Sequence, residues 1–334
     1  MRFVSAVFGF VVLVSASAQP SAKPKFIPST VSKEAQEMLK GEPPVLVPKS
    51  KREWQKAWKG SLAGADEARR TLLKAFPATV EGSVLAGGEH LLITPKSLDP
   101  DTKSRILVYI HGGAHTLYSP GSTLAVALRA AHFTRARVLS VRYPLAWQKP
   151  HPASRDVAVS VYKESLKSTN SRHIAMFGDS AGGALVMSTV LRVRDLGLPM
   201  PAVLGLISPW ADVTKTGDSL TRNGRGDDPL LDYEATLAAS AKIYGAKQNL
   251  EDPSVSPIYA DFTKGFPPSY ISTGTRDLFL SHCARLQRKL TDAGIENRLM
   301  LHEGMWHVFQ SFDLPETPAA YRDMATFFEQ HWAR

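Results

Sequence analysis

At 334 residues, 43% of them hydrophobic and 21% charged, the chain has an ordinary globular composition and can bury a sizeable core, as one large α/β domain or two smaller ones. Its single cysteine, Cys283, excludes an intramolecular disulfide, so stability has to come from the core alone. A net charge of +9 suggests anionic partners, but its distribution does not point to nucleic acid.

The chain opens with Arg2, an apolar run from Phe3 to Val14 and then SASAQ, with Ala16 and Ala18 forming an A-x-A. That is the layout of a secretory signal peptide cleaved after Ala18. About 12 apolar residues fall short of the roughly 20 that a transmembrane helix needs, and no cysteine near residue 18 suggests a lipoprotein. The expected location is therefore exported, periplasmic or secreted, with no integral membrane span after cleavage.

A Pro/Lys-rich tether, Gln19 to Thr30, leads into helix-like stretches at Val31 to Lys40 and Lys51 to Phe76, ended by Pro77. The densest basic segment, KSKREWQKAWKG (49–60), carries Trp54 and Trp58 at i, i+4 spacing, so the two rings share a helix face and the lysines form the solvated side. That favours a core or lid helix over a membrane or polyanion contact. VEGSVLAGGEHLLITP then reads as two short strands around Gly87-Gly88.

From there apolar and β-branched runs alternate with helix-period segments. The runs are RILVYI (105–110), RVLSVRY (137–143), HIAMFG (173–178), AVLGLIS (202–208), SYISTG (269–274) and RLMLHEG (298–304). Buried strands alternating with helices imply a mostly parallel central sheet with helices on both faces. The stretch from Asp212 to Leu250 breaks the alternation and reads as an insertion over a site at the sheet's rim.

MFGDSAGGA places G-x-S-x-G, Gly178 to Gly182, between a strand and a helix. A nucleophile elbow needs small residues there because the serine sits in a strained, crowded turn. A glycine-rich turn in this context can also bind phosphate, but Asp179 beside Ser180 adds the wrong charge. A serine hydroxyl needs a base, and the base an orienting acid, here in the order Ser, Asp, His. Asp277 lies just past one strand end and His307 just past the next, on the rim where strand carboxyl ends gather ligands. His302 competes for the base but lies within a strand run; Glu303, Asp292 and Asp313 compete for the acid but sit in helix-end or loop contexts. Acyl transfer also needs hydrogen-bond donors for an oxyanion. Ala181, after the serine, supplies one, and HGGA (111–114), following RILVYI, is placed to supply the others.

With these residues the chain resembles the hormone-sensitive-lipase-like branch of the α/β-hydrolase fold, particularly its bacterial esterases and acetyl or lactone hydrolases. HGGA and GDSAGG carry the resemblance, together with VRYPLAWQKPHPAS (141–154), SPWADVT (208–214), DDPLLD (227–232) and DPSVSPIYAD (252–261). It implies Ser180 as nucleophile, His307 as base then acid, Asp277 as its orienting acid, and Gly112, Gly113 and Ala181 as the oxyanion hole. It further implies a cap from the N-terminal helices, giving domains of 1–18 (signal), 19–79 (tether and helical cap) and 80–334 (catalytic). Ala114, His115, Trp210 and Trp306 are the candidate substrate-binding residues.

Two positions depart from the commonest pattern. Ala114 replaces the third glycine of HGGG, and Ser281 stands where many relatives carry a second acid. Glycine or alanine at position 114 resembles a class that accepts bulky alcohol esters. The expected activity is hydrolysis of short-to-medium or bulky esters through an acyl-enzyme, without cofactor or metal, on a small-molecule ester, by a monomer or homodimer. The alternatives are a lactonase or a drug- or pesticide-inactivating esterase with the same triad, and a catalytically inactive binding protein of this fold.

Overall fold

The computed structural model describes residues 26–43, 45–222 and 228–333, so the expected signal segment lies outside the described residues. Eight strands form one sheet: β1 (Ala78–Leu85), β2 (Gly88–Pro95), β3 (Ile106–Ile110), β4 (Arg137–Val141), β5 (Ile174–Asp179), β6 (Val203–Ile207), β7 (Ser269–Gly274) and β8 (Asn297–His302). Their spatial order is β1-β2-β4-β3-β5-β6-β7-β8. β2 runs antiparallel to both its neighbours, and from β4 to β8 every pairing is parallel.

The central strands β3 to β7 are buried and mostly apolar because helices cover both faces, whereas the edge strands β1 and β8 have no buried residue; period 2 sends alternate side chains to each face. Val108 and Ile110 of β3, Met176 of β5, and Leu204 and Leu206 of β6 enter one buried cluster with α5 (Ala153–Ser165), α6 (Ala181–Asp195) and α9 (Leu280–Asp292). Leu107 and Tyr109, Ala175 and Phe177, and Val203 and Ile207 point the other way, against α4 (Leu124–Thr134) and α10 (Thr317–His331).

The N-terminal region differs from the expected single stretch 51–76. It folds as α1 (Lys33–Met38), α2 (Lys51–Gly60) and α3 (Ala65–Ala75), with a break at 61–64 where Gly64 takes φ +74°. Gly60 and Gly64 bracket that break, and glycine disfavours helix by roughly 1 kcal/mol relative to alanine. Trp54 is buried in the same cluster as β3 and β4, and Trp58 packs against it. Between β6 and β7 the chain forms α7 (Asp218–Arg222), a π-helical turn Tyr233–Leu237 and α8 (Ala238–Gly245).

Strand order reverses at β3. The chain steps to β4 on one side, then crosses back to β5 on the other. The loops leaving the carboxyl ends of β3 and β5 therefore flank one crevice, the usual place for a ligand in an open parallel sheet. Among the described residues no helix is long and apolar enough to cross a membrane.

Candidate active site

Ser180 occupies the turn between β5 and α6 with φ 55° and ψ −126°, a conformation that non-glycine residues rarely take. Its N–H donates to Ile207 O at 2.8 Å and its carbonyl accepts from Trp210 N–H at 2.9 Å, so β6 and the chain after it hold the strained turn in place. Crowding explains the small residues around it: a methyl group on Gly182 would lie 2.1 Å from Ile110 O.

Asp277 follows β7 and is fully buried. Its Oδ1 accepts from His307 Nδ1–H at 3.1 Å and from Phe279 N–H at 2.9 Å, and its Oδ2 accepts from the Thr273 hydroxyl at 2.8 Å. Burial pushes its carboxyl up, but the charge and hydrogen bond of His307 with the other donors outweigh burial and hold it below its ordinary value. Burial likewise works to lower the His307 pKa. The charge of Asp277 and its hydrogen bond, then the charges of Asp228 and Asp179, win and raise it. With Nδ1–H committed to Asp277, the neutral ring keeps its lone pair on Nε2, the form a general base requires.

The rival residues are engaged elsewhere. His302 ends β8 with Nε2 at 3.2 Å from Ser272 Oγ. Asp292 pairs with Arg288 at the exposed end of α9, and Asp313 faces Arg129 from solvent.

The loop after β3 corrects one expectation. Gly112 does not offer its N–H to a substrate oxyanion, because that N–H donates to Asp179 Oδ1 at 3.1 Å. Asp179 also accepts from Tyr109 O–H at 2.6 Å, and although burial pushes its carboxyl up, these donors oppose the rise. Gly112 is instead a close-packing position: a methyl group there would lie 2.4 Å from Asp179 Oδ2 and 3.0 Å from Ser180 Cβ. The next two residues turn with positive φ, Gly113 at 104° and Ala114 at 51°, followed by His115 at 60°. Among the described residues the N–H groups of Gly113, Ala114 and Ala181 make no hydrogen bond. That of Ala181 also opens α6, at the positive end of the helix dipole.

Outside supports fix this loop. Tyr143 O–H donates to His111 O at 2.7 Å, and the indole N–H groups of Trp147 and Trp58 donate to Thr116 O and Tyr118 O, each at 3.0 Å. The Trp58 bond comes from α2, so the N-terminal helices brace the loop directly.

Of the candidate pocket residues, Ala114 and Trp210 share a buried cluster with Ala181 and Phe279. The Phe279 ring stacks on Trp210 at 5.8 Å and meets His307 edge-on at 4.9 Å. His115 stacks on Tyr244 at 3.6 Å with both ring nitrogens buried and unbonded, and burial lowers its pKa to about 3. Trp306 is placed apart from these, buried with Val31, Ala35 and Leu39 of the N-terminal segment. Ser281 bonds reciprocally with Ser219, N–H to Oγ at 2.9 Å in each direction, pinning α7 to α9.

One acid close to the triad residues was not singled out by sequence reasoning. Asp228 is fully buried and accepts from His307 N–H and Leu278 N–H, both at 3.2 Å. Its only advance signal is its place in DDPLLD. Among the described residues no group of His, Cys, Asp and Glu could hold a metal ion.

Residues 107–311 match a family described as alpha/beta hydrolase fold. An esterase of Acinetobacter venetianus is 33% identical over 227 residues, 67% of this chain and 74% of that protein. An acetyl-hydrolase of Streptomyces hygroscopicus is 33% identical over 216 residues, 64% of this chain and 71% of that one. The crystal structure of an esterase E25 superimposes with a TM-score of 0.88 at 33% identity, covering 95% of this chain and 99% of that chain. That of an esterase from the bacterial hormone-sensitive lipase family gives 0.75 at 27% identity, covering 90% of this chain and 99% of that chain. The chain belongs to the α/β-hydrolase family, in its hormone-sensitive-lipase-like branch.

Proposed function

We propose that this chain hydrolyses carboxylic esters through an acyl-enzyme on Ser180. The observation that carries the reading is the buried 3.1 Å bond between His307 Nδ1 and Asp277 Oδ1, on the same rim as the strained Ser180 and the unbonded N–H groups of Gly113, Ala114 and Ala181. His307 Nε2 takes the Ser180 proton as Oγ bonds to the ester carbonyl carbon. The resulting oxyanion is held by the N–H groups of Gly113, Ala114 and Ala181, each worth about 3 to 4 kcal/mol in comparable sites. Collapse breaks the bond to the alcohol oxygen, which leaves with the proton from His307. Water then repeats the sequence and releases the acid, while Asp277 supports the imidazolium in both halves.

The substrates are short-to-medium or bulky esters, with the aromatic wall of Trp210, Phe279 and His115 beside the acyl or alcohol group. Esterase and acetyl-hydrolase relatives support the reaction class. A panel of linear esters, lactones and bulky esters tested on wild type and Ser180→Ala decides the matter. The expected result is hydrolysis lost in the variant, with stoichiometric fluorophosphonate labelling of wild type only. Hydrolysis surviving the substitution overturns the site, and a folded wild type that resists the probe favours a binding protein. Residues 19–79 act as tether and cap for the catalytic unit 80–334, and the protein is exported after cleavage near Ala18; a mature N-terminus other than Gln19 in an exported fraction overturns that cleavage site.

A further inference from the structure

Asp228 is a carboxylate with every acceptor position committed. Its Oδ2 receives the N–H of Leu278, directly after Asp277, and the N–H of His307 itself, both at 3.2 Å. Its Oδ1 receives Leu230 N–H at 2.9 Å and Leu231 N–H at 3.3 Å. A charge taken out of water this completely persists only when its hydrogen bonds are met, and here four backbone donors meet them. One side chain thus joins three pieces of chain: the loop after β7 that carries the acid, the loop after β8 that carries the base, and the insertion between β6 and β7. The last is fastened a second time, where the Ser219 hydroxyl donates to Leu278 O at 2.7 Å.

We propose that Asp228 is a positioning residue for the triad, clamping the acid and base loops in mutual register and placing a second fixed negative charge beside His307. The proposal rests on the triad reading above. Its oxygens are filled by backbone donors, so it carries no proton in the reaction; it acts through where it holds Leu278 and His307. Three carboxylates face the imidazole: Asp277 from the loop after β7, Asp228 from the insertion and Asp179 from the nucleophile turn. Asp228 in turn faces His307 and Asp277. Burial pushes its carboxyl up to about 6, so above that pH the clamp is ionised and complete.

Two variants separate position from charge. Asp228→Asn keeps the shape but turns one oxygen into an NH2 group that cannot accept from two N–H donors, and it removes the charge. Asp228→Glu keeps the charge and moves it by one methylene. With p-nitrophenyl acetate, kcat should fall at least tenfold in both while KM stays within threefold, because the acyl and alcohol walls are untouched. The acid limb of kcat/KM, which reports the His307 base, should move to lower pH in Asp228→Asn and stay at the wild-type position in Asp228→Glu. Fluorophosphonate labelling of Ser180 should slow in step with kcat, with near-UV circular dichroism establishing the folded state. Wild-type kcat in Asp228→Glu overturns the clamp, even if Asp228→Asn does not fold. A folded Asp228→Asn with wild-type kcat, or with low kcat and an unmoved acid limb, overturns it as well. Ser180→Ala run in parallel keeps the two readings apart: activity surviving there sinks the triad, whatever Asp228 does.

Discussion

Gly112→Ala replaces one hydrogen with a methyl group and should disable the enzyme without touching a reacting atom. Gly112 has no need of glycine's backbone freedom; what it needs is space. The added methyl carbon would lie 2.4 Å from Asp179 Oδ2, 2.8 Å from Asp179 O and 3.0 Å from Ser180 Cβ, against 3.4 to 4 Å for ordinary contact. Relief requires a movement of about 1 Å, and a misplacement of that size at a catalytic group costs on the order of 100-fold in rate. Asp179 cannot swing aside alone, because its Oδ1 is held by Tyr109 O–H and by Gly112 N–H. The nucleophile turn therefore moves with it. Overpacking of this kind also destabilises by about 1 to 3 kcal/mol. The assay is kcat and KM for p-nitrophenyl acetate with thermal unfolding of the same samples. We expect kcat about 100-fold lower and a modest fall in melting temperature. A folded variant with kcat within threefold of wild type would show that the loop after β3 does not press on the nucleophile turn and would refute the reasoning.

The His307 pKa lies above the ordinary imidazole value and the base must be neutral, so the acid limb of kcat/KM should have its midpoint above about 6.5; a midpoint below that would contradict the carboxylate cluster. By linkage the same raised pKa stabilises the fold fully below about pH 6.5 and loses that contribution as pH rises through the folded value, which pH-dependent denaturant unfolding of wild type and His307→Asn would detect. Ala114→Gly relieves a φ of 51°, worth about 1 to 2 kcal/mol. It gives up a buried methyl worth about 0.8 kcal/mol and about 0.4 to 1 kcal/mol of unfolded-state entropy, so stability should stay within about 1 kcal/mol of wild type. Turnover of a small activated ester should survive that change while selectivity for bulky alcohol esters shifts; collapse of the basic activity would count against the backbone-donor role.

What could be read from the sequence was whatever local pattern determines. Strands buried on two faces read as continuous apolar runs, and all eight lie where those runs and the Gly87-Gly88 hairpin put them. Chain order alone put Ser180, Asp277 and His307 after the ends of β5, β7 and β8, because a parallel sheet delivers its carboxyl ends to one rim. What stayed hidden depends on partners distant in the chain. Asp228 is 50 residues from Leu278 and 79 from His307, and no periodicity links an acid in an irregular insertion to two backbone N–H groups so far away.

The bond between Asp179 and Gly112 spans 67 positions and hides in the same way, but it changes the chemistry more. Read in sequence, Asp179 is a charge that disfavours phosphate. In the fold it occupies the first N–H of the glycine loop, and the unbonded N–H groups proposed to hold the oxyanion lie one residue on, at Gly113 and Ala114. That shift answers why position 114 can depart from glycine at all. Its contribution is an N–H that any residue but proline carries, aimed by a left-handed turn that alanine takes at a cost of about 1 kcal/mol. The supports from Tyr143, Trp147 and Trp58 hold that turn in place. The methyl group packs into the buried cluster of Trp210 and Ala181, while Gly112, whose N–H is taken by Asp179, is a position where no side chain fits.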